Sequence, residues 1–85
     1  MPNNTIMRTK TLGAAYSALA ATPVIFSGTI TAGLNNVGTA YLKGDTGDDV
    51  PLAPGEFHEF HHVDLSLIEV KGTVNDVVTS IGGSW

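Results

Sequence analysis

Apolar and polar positions alternate over short distances along this chain, and glycine, proline, asparagine or aspartate interrupts the pattern between runs. That punctuation predicts strands joined by tight turns, and no stretch carries a long helical period. The clearest run is 23–32, PVIFSGTITA, where Val24, Phe26, Gly28 and Ile30 fall on one face. Gly28 inside it predicts a bulge or a close backbone approach. Residues 39–43 (TAYLK) and 77–81 (VVTSI) read as shorter strands. In 5–12, Ile6, Arg8 and Lys10 share one face while Met7, Thr9 and Thr11 share the other. That mixture is a poor core pattern and suits an edge strand.

The chain is organised around 50–72, which reads as turn, strand, corner, strand. Pro54 followed by Gly55 suits a type II turn, whose second central residue needs positive φ. Phe57 and Phe60 centre the bulky run 56–63, Asp64 breaks it, and Leu65, Leu67, Ile68 and Val70 resume it. Segment 13–21 is rich in alanine and leucine, which favour helix. It is short, however, with Gly13 opening it and Pro23 soon after it, so strand or irregular extended chain is the expectation.

About seven short strands predict an all-β fold, a small antiparallel β-sandwich or barrel that is jelly-roll-like. Residues 1–12 read as an N-terminal arm or edge strand and 13–85 as one β-sandwich domain. The expected core is Val24, Phe26, Ile30, Leu42, Leu52, Phe60, Leu65, Ile68, Val70, Val78 and Ile81.

Composition changes this picture in one respect. The chain has 85 residues and no cysteine, so disulfides cannot reinforce a modest core. Charged residues make up 14%, against ~25% in an average soluble domain. Two readings stand: part of the surface is covered by partners, or the surface is a neutral Gly/Thr/Ser/Asn-rich β face. The net charge is −4 with four basic residues and no basic stripe, so nucleic acid is not an expected partner. No apolar run approaches the ~18 residues of a membrane span, and a membrane partner is not expected. The opening residues lack the order of a secretory signal, so a protein made in a cytoplasm is expected.

The candidate chemistry is sparse. His58, His61 and His62 sit together, flanked by Glu56 and Glu59. On a regular strand His58 and His62 share Phe60's face, while Glu59 and His61 share Phe57's. Same-face neighbours stand ~6.5–7 Å apart, and one strand cannot supply the four ligands of a structural zinc site. No metal site is therefore expected. His58, His61 and His62 are the only candidates, through a trimer axis or a small cupin-like metal enzyme. The acidic loop at 44–49 does not match an EF-hand order and reads as a hydrophilic turn. Triad, Walker and GxGxxG motifs are lacking, so neither an enzyme nor a cofactor is expected. Trp85, after Gly82 and Gly83, is a large apolar group on a tether that folds back on its own core or docks in a neighbour.

Between 23 and 82 the sequence resembles small structural proteins of tailed bacteriophages. The pattern is Val24-Ile25-Phe26, then Asn35-Asn36 with Gly38, then an aromatic strand at Tyr41. An acidic Gly loop follows, then Pro51-Leu52-Ala53-Pro54-Gly55-Glu56, Val63-Asp64-Leu65-Ser66, and a strand ending in Lys71-Gly72. The histidine-rich run departs from the Ser/Thr/Val content usual there. The resemblance implies a virion structural protein of the capsid decoration, or cement, type. Such a protein forms a homotrimer, binds the major capsid protein on the outside of a phage capsid, and buries apolar area at seams between capsomers. The interface residues expected under it are Ile6, Met7, Arg8, Phe57, His58, His61, His62 and Trp85. The alternative is a tail- or fibre-associated receptor- or glycan-binding module, with Tyr16, Tyr41 and Trp85 as candidates for an aromatic cleft.

Overall fold

The computed structural model describes residues 4–45 and 47–84. They form β1 (Asn4–Thr11), β2 (Ser17–Ala18), β3 (Ile25–Ala32), β4 (Ala40–Lys43), β5 (Val50–Leu52), β6 (Phe57–Asp64), a 3-10 turn (Leu65–Leu67), β7 (Glu69–Lys71) and β8 (Val77–Ser84). The strands make two four-stranded antiparallel sheets, sheet I in the order β1-β8-β3-β6 and sheet II in the order β2-β7-β4-β5. β1 pairs with β8, β2 with β7, β3 with β6 and β4 with β5, as in one long hairpin folded over on itself. Contacts of β3 with β8 and of β4 with β7 then complete each sheet. This nesting is the strand order of a jelly roll.

The inner faces of both sheets meet in one core. Phe26, Ile30 and Val78 from sheet I, Leu52 and Val70 from sheet II, and Leu65 from the 3-10 turn are the largest fully buried side chains. Each contributes roughly 1.5–3 kcal/mol by leaving water. Ile6, Leu12, Leu19, Ala20, Ala32, Ala40 and Leu42 complete the cluster, with Val24, Phe60, Val63 and Ile68 packed partly buried against it. β1 is thus knit into the fold rather than standing off as an arm. Its eight residues pair with β8 in continuous register, and Ile6 sits in the core.

Two expectations are corrected here. Ile81 is not a core residue: it is 52% exposed, because the register of β8 turns Val78 and Ser80 inward and Ile81 outward. Leu65–Leu67 does not resume a strand. Asp64 caps a 3-10 turn by accepting from Ser66 N–H at 2.9 Å and Ser66 Oγ at 2.7 Å, and it also accepts from Val24 N–H at 3.2 Å. These bonds, the Ser66 hydroxyl first, hold the Asp64 carboxyl below the usual carboxylate range. Segment 13–21 forms no helix, as expected: it is irregular chain in which Ser17–Ala18 pairs as strand, while Leu19 and Ala20 supply core.

The turn expected at Pro54 and Gly55 forms. Glu56 N–H donates to Ala53 O at 2.9 Å, and Gly55 takes φ +84°, a conformation glycine adopts without steric cost.

Candidate interaction surface

Strand alternation and register together define the outer face of sheet I. Met7 stands beside Ile81, Ile81 beside Thr29, and Thr29 beside Glu59. The next row is Thr9, Thr79, Thr31 and Phe57. Met7 is 71%, Phe57 59% and Ile81 52% exposed. Glu59 is the only carboxylate in these two rows, and neither holds a lysine or arginine. The face is a threonine-rich surface with a single carboxylate and three large exposed apolar side chains.

Of the expected interface residues, Met7, Arg8, Phe57, His58, His61 and His62 are all exposed. Ile6 lies in the core at 4% exposure, since it shares the inward face of β1 with its partner Gly82. Arg8 shares that inward face and still reaches solvent, because β1 is the rim of its sheet. Trp85 and residues 1–3 lie outside the described residues.

β6 forms the opposite rim of sheet I and carries all three histidines. Its alternation is broken. Gly28 pairs with Phe60 but Phe26 pairs with Val63, so two residues of β6 oppose Ser27 alone. This is a β-bulge. His62 takes φ +52° within it, and its N–H donates to Ser27 Oγ at 3.0 Å. His62 therefore leaves the face it was expected to share with His58 and Phe60, and Val63 takes that side. Among the described residues no three His, Cys, Asp or Glu side chains converge as metal ligands. His58, with Glu59, Phe60 and Lys43, instead lines a groove of about 410 Å³ between β6 and the β4–β5 side of sheet II. Leu42, Val50 and Ile68 give the groove apolar walls.

A separate cluster occupies the outer face of sheet II. Tyr41 pairs with Lys71 and Lys43 with Glu69 across β4 and β7. Lys43 Nζ lies 4.4 Å and Lys71 Nζ 4.8 Å from the centroid of the Tyr16 ring, and Lys71 Nζ is 5.9 Å from that of Tyr41. Lys43 is also ion-paired with Glu69 at 3.4 Å. The Tyr16 hydroxyl donates to Asp49, which ties the acidic loop to the sheet. Beside this cluster a groove of about 400 Å³ is lined by Ala14, Thr39, Tyr41, Lys71, Gly72 and Thr73. Sequence reading named Tyr16 and Tyr41 but missed the two lysines, whose strand pairing brings them over the rings.

Partial burial, the bond to Asp49 and the nearby charges of Asp49 and Glu69 push the Tyr16 phenol up from 10.0 to about 12. A raised folded value favours the protonated form. Its contribution to stability is complete below the unfolded value and is lost as pH climbs through about 12. In an alkaline absorbance titration one tyrosine is expected to ionise late, and Tyr16→Phe should remove that component. A late component surviving in Tyr16→Phe would refute the assignment.

No protein-family model, no curated protein and no solved structure matches this chain.

Proposed function

We propose that this chain is a structural virion protein of the capsid decoration type, which binds the outside of a phage capsid and stabilises it by association alone. The observation that carries this reading is the outer face of sheet I, where Met7, Ile81 and Phe57 stand exposed on a sparsely charged surface. Such a face gains by being covered, and repeated copies on a shell multiply modest individual contacts through avidity. The jelly roll occurs in viral capsid domains and also in lectin domains and cupins, so the fold supports the reading by analogy only.

The test is co-sedimentation with assembled phage capsids, beginning with those of any major coat protein found encoded beside this chain. The protein should pellet with them in fixed proportion to coat subunits and raise their dissociation temperature. Folded protein that stays in the supernatant would overturn the proposal.

A second reading, a receptor- or glycan-binding module, is favoured by the Tyr16, Tyr41, Lys43 and Lys71 cluster beside its groove. Aromatic rings give a sugar an apolar floor and lysines give polar donors. Glycan-array binding that disappears in Tyr41→Ala, without capsid pelleting, would select it.

A further inference from the structure

We infer that β1 is a self-pairing edge: it docks antiparallel against β1 of a second copy, about a two-fold axis at Met7, and fuses two copies of sheet I into one continuous sheet. The inference comes from comparing the four rims of the two sheets, which are β1 and β6 in sheet I and β2 and β5 in sheet II. A sheet rim presents unpaired backbone donors and acceptors, and folded proteins protect rims with short strands, proline, bulges or charge.

Three of the four rims are short, proline-bearing or bulged. β2 has only two residues. β5 has three and contains Pro51, which offers no N–H. β6 is long but bent by its bulge, with His62 at positive φ. β1 has none of the first three devices, and charge is its one protection. It is eight residues long, free of proline, and in unbroken register with β8 from Asn4 to Thr11. Its charges, Arg8 and Lys10, both lie on the inward face, so the outward face at Thr5, Met7 and Thr9 is uncharged.

The strand's own order selects a second copy as the occupant. Antiparallel pairing about Met7 uses all of 4–10. It sets Met7 opposite Met7 of the other copy, Thr5 opposite Thr9, and Ile6 opposite Arg8. No like charges stand directly opposite, whereas an axis at Arg8 would oppose two guanidinium groups. Because Met7 is already beside Ile81, the axis extends one exposed apolar row across both copies: Ile81, Met7, Met7, Ile81. The two side chains that are hardest to leave in water on this rim then cover each other. A two-fold unit replaces the threefold one implied by the resemblance. The pairing rests on the sheet rims alone and does not depend on the capsid reading.

Sedimentation equilibrium of the full chain should report twice the 8.8 kDa monomer mass. Met7→Lys, at an exposed position, should keep the β-sheet circular dichroism and lose the dimer. The absence of cysteine allows a register test. Met7→Cys should form a covalent dimer on mild oxidation, since directly opposed residues bring their Cβ atoms to ~4.5–5.5 Å and a small shift at the rim closes this to the ~3.5–4.5 Å of a disulfide. Thr5→Cys mixed with Thr9→Cys should cross-link into a heterodimer, while Thr9→Cys alone should not. A monomer or trimer in sedimentation, a dimer that survives Met7→Lys, or Met7→Cys that stays uncrosslinked would each overturn the pairing.

Discussion

Gly28→Ala is expected to remove about 3 kcal/mol or more of folding stability, the upper end of what overpacking a core costs. A Cβ at Gly28 would lie 2.3 Å from the Ile81 carbonyl oxygen, 2.6 Å from Gly82 Cα and 2.8 Å from the Phe26 ring. Two of these are backbone atoms of the adjacent central strand and cannot swing aside. Gly82 is the cross-strand partner of Gly28, and a Cβ there would meet Ser27 O at 2.2 Å. Gly28 therefore leaves room for the fully buried Phe26 ring, and both glycines allow the backbones of β3 and β8 to approach closely. At ~4–8 °C per kcal/mol for a domain of this size, the melting temperature should fall by roughly 12–24 °C. Gly13→Ala is the control: nothing lies within 4 Å of its Cβ, and its melting temperature should barely move. Equal melting of the two variants would refute the packing argument. The consequence extends to the surface, because a one-residue slip between β3 and β8 would exchange their inner and outer faces.

Asp76→Ala should cost about 2–4 kcal/mol, because it strands two backbone donors. Asp76 is 6% exposed. Its carboxylate accepts from Val37 N–H at 2.9 and 3.1 Å and from Gly38 N–H at 3.0 Å. Beside it, Asn36 clasps the backbone of Val77: Asn36 Nδ2 donates to Val77 O at 2.8 Å, and Val77 N–H donates to Asn36 Oδ1 at 2.9 Å. These bonds fasten the loop at 33–38 to the start of β8 and so hold the strand that separates β1 from β3. Asp76→Asn should recover part of the loss, since one side-chain oxygen at the Oδ2 position reaches both Val37 N–H and Gly38 N–H. The urea midpoint should drop, and amide exchange at Val37 and Gly38 should speed up. Asp45→Ala, in the exposed acidic loop, should change stability by no more than ~0.5 kcal/mol. Similar midpoints for Asp76→Ala and Asp45→Ala would refute the role assigned to Asp76.

Much of the fold was legible where local chemistry decides alone. The β run at 23–32, the turn at Pro54 and Gly55, and the poor core pattern of 5–12 each follow from a few neighbouring residues. Gly28 was legible as a close approach because a glycine amid β-branched residues has few other uses. Places where a distant strand decides were not legible. The bulge that turns His62 away depends on pairing with Ser27, 35 residues distant in sequence. The outward position of Ile81 depends on which residues β3 sets against β8. Lys43 and Lys71 sit over the Tyr16 ring only because β2, β7 and β4 are neighbours in sheet II.

By itself the sequence determined that the chain is all-β, cysteine-free and sparsely charged, with Met7, Thr9 and Thr11 alternating against Ile6, Arg8 and Lys10. It could do so because side-chain alternation and turn chemistry act over a few residues. Only the tertiary structure decided that β1 ends as the one long, unbent rim and that Met7 lies beside Ile81. Whether a strand becomes an edge depends on which partners the rest of the chain brings to it, and those partners lie far away in sequence.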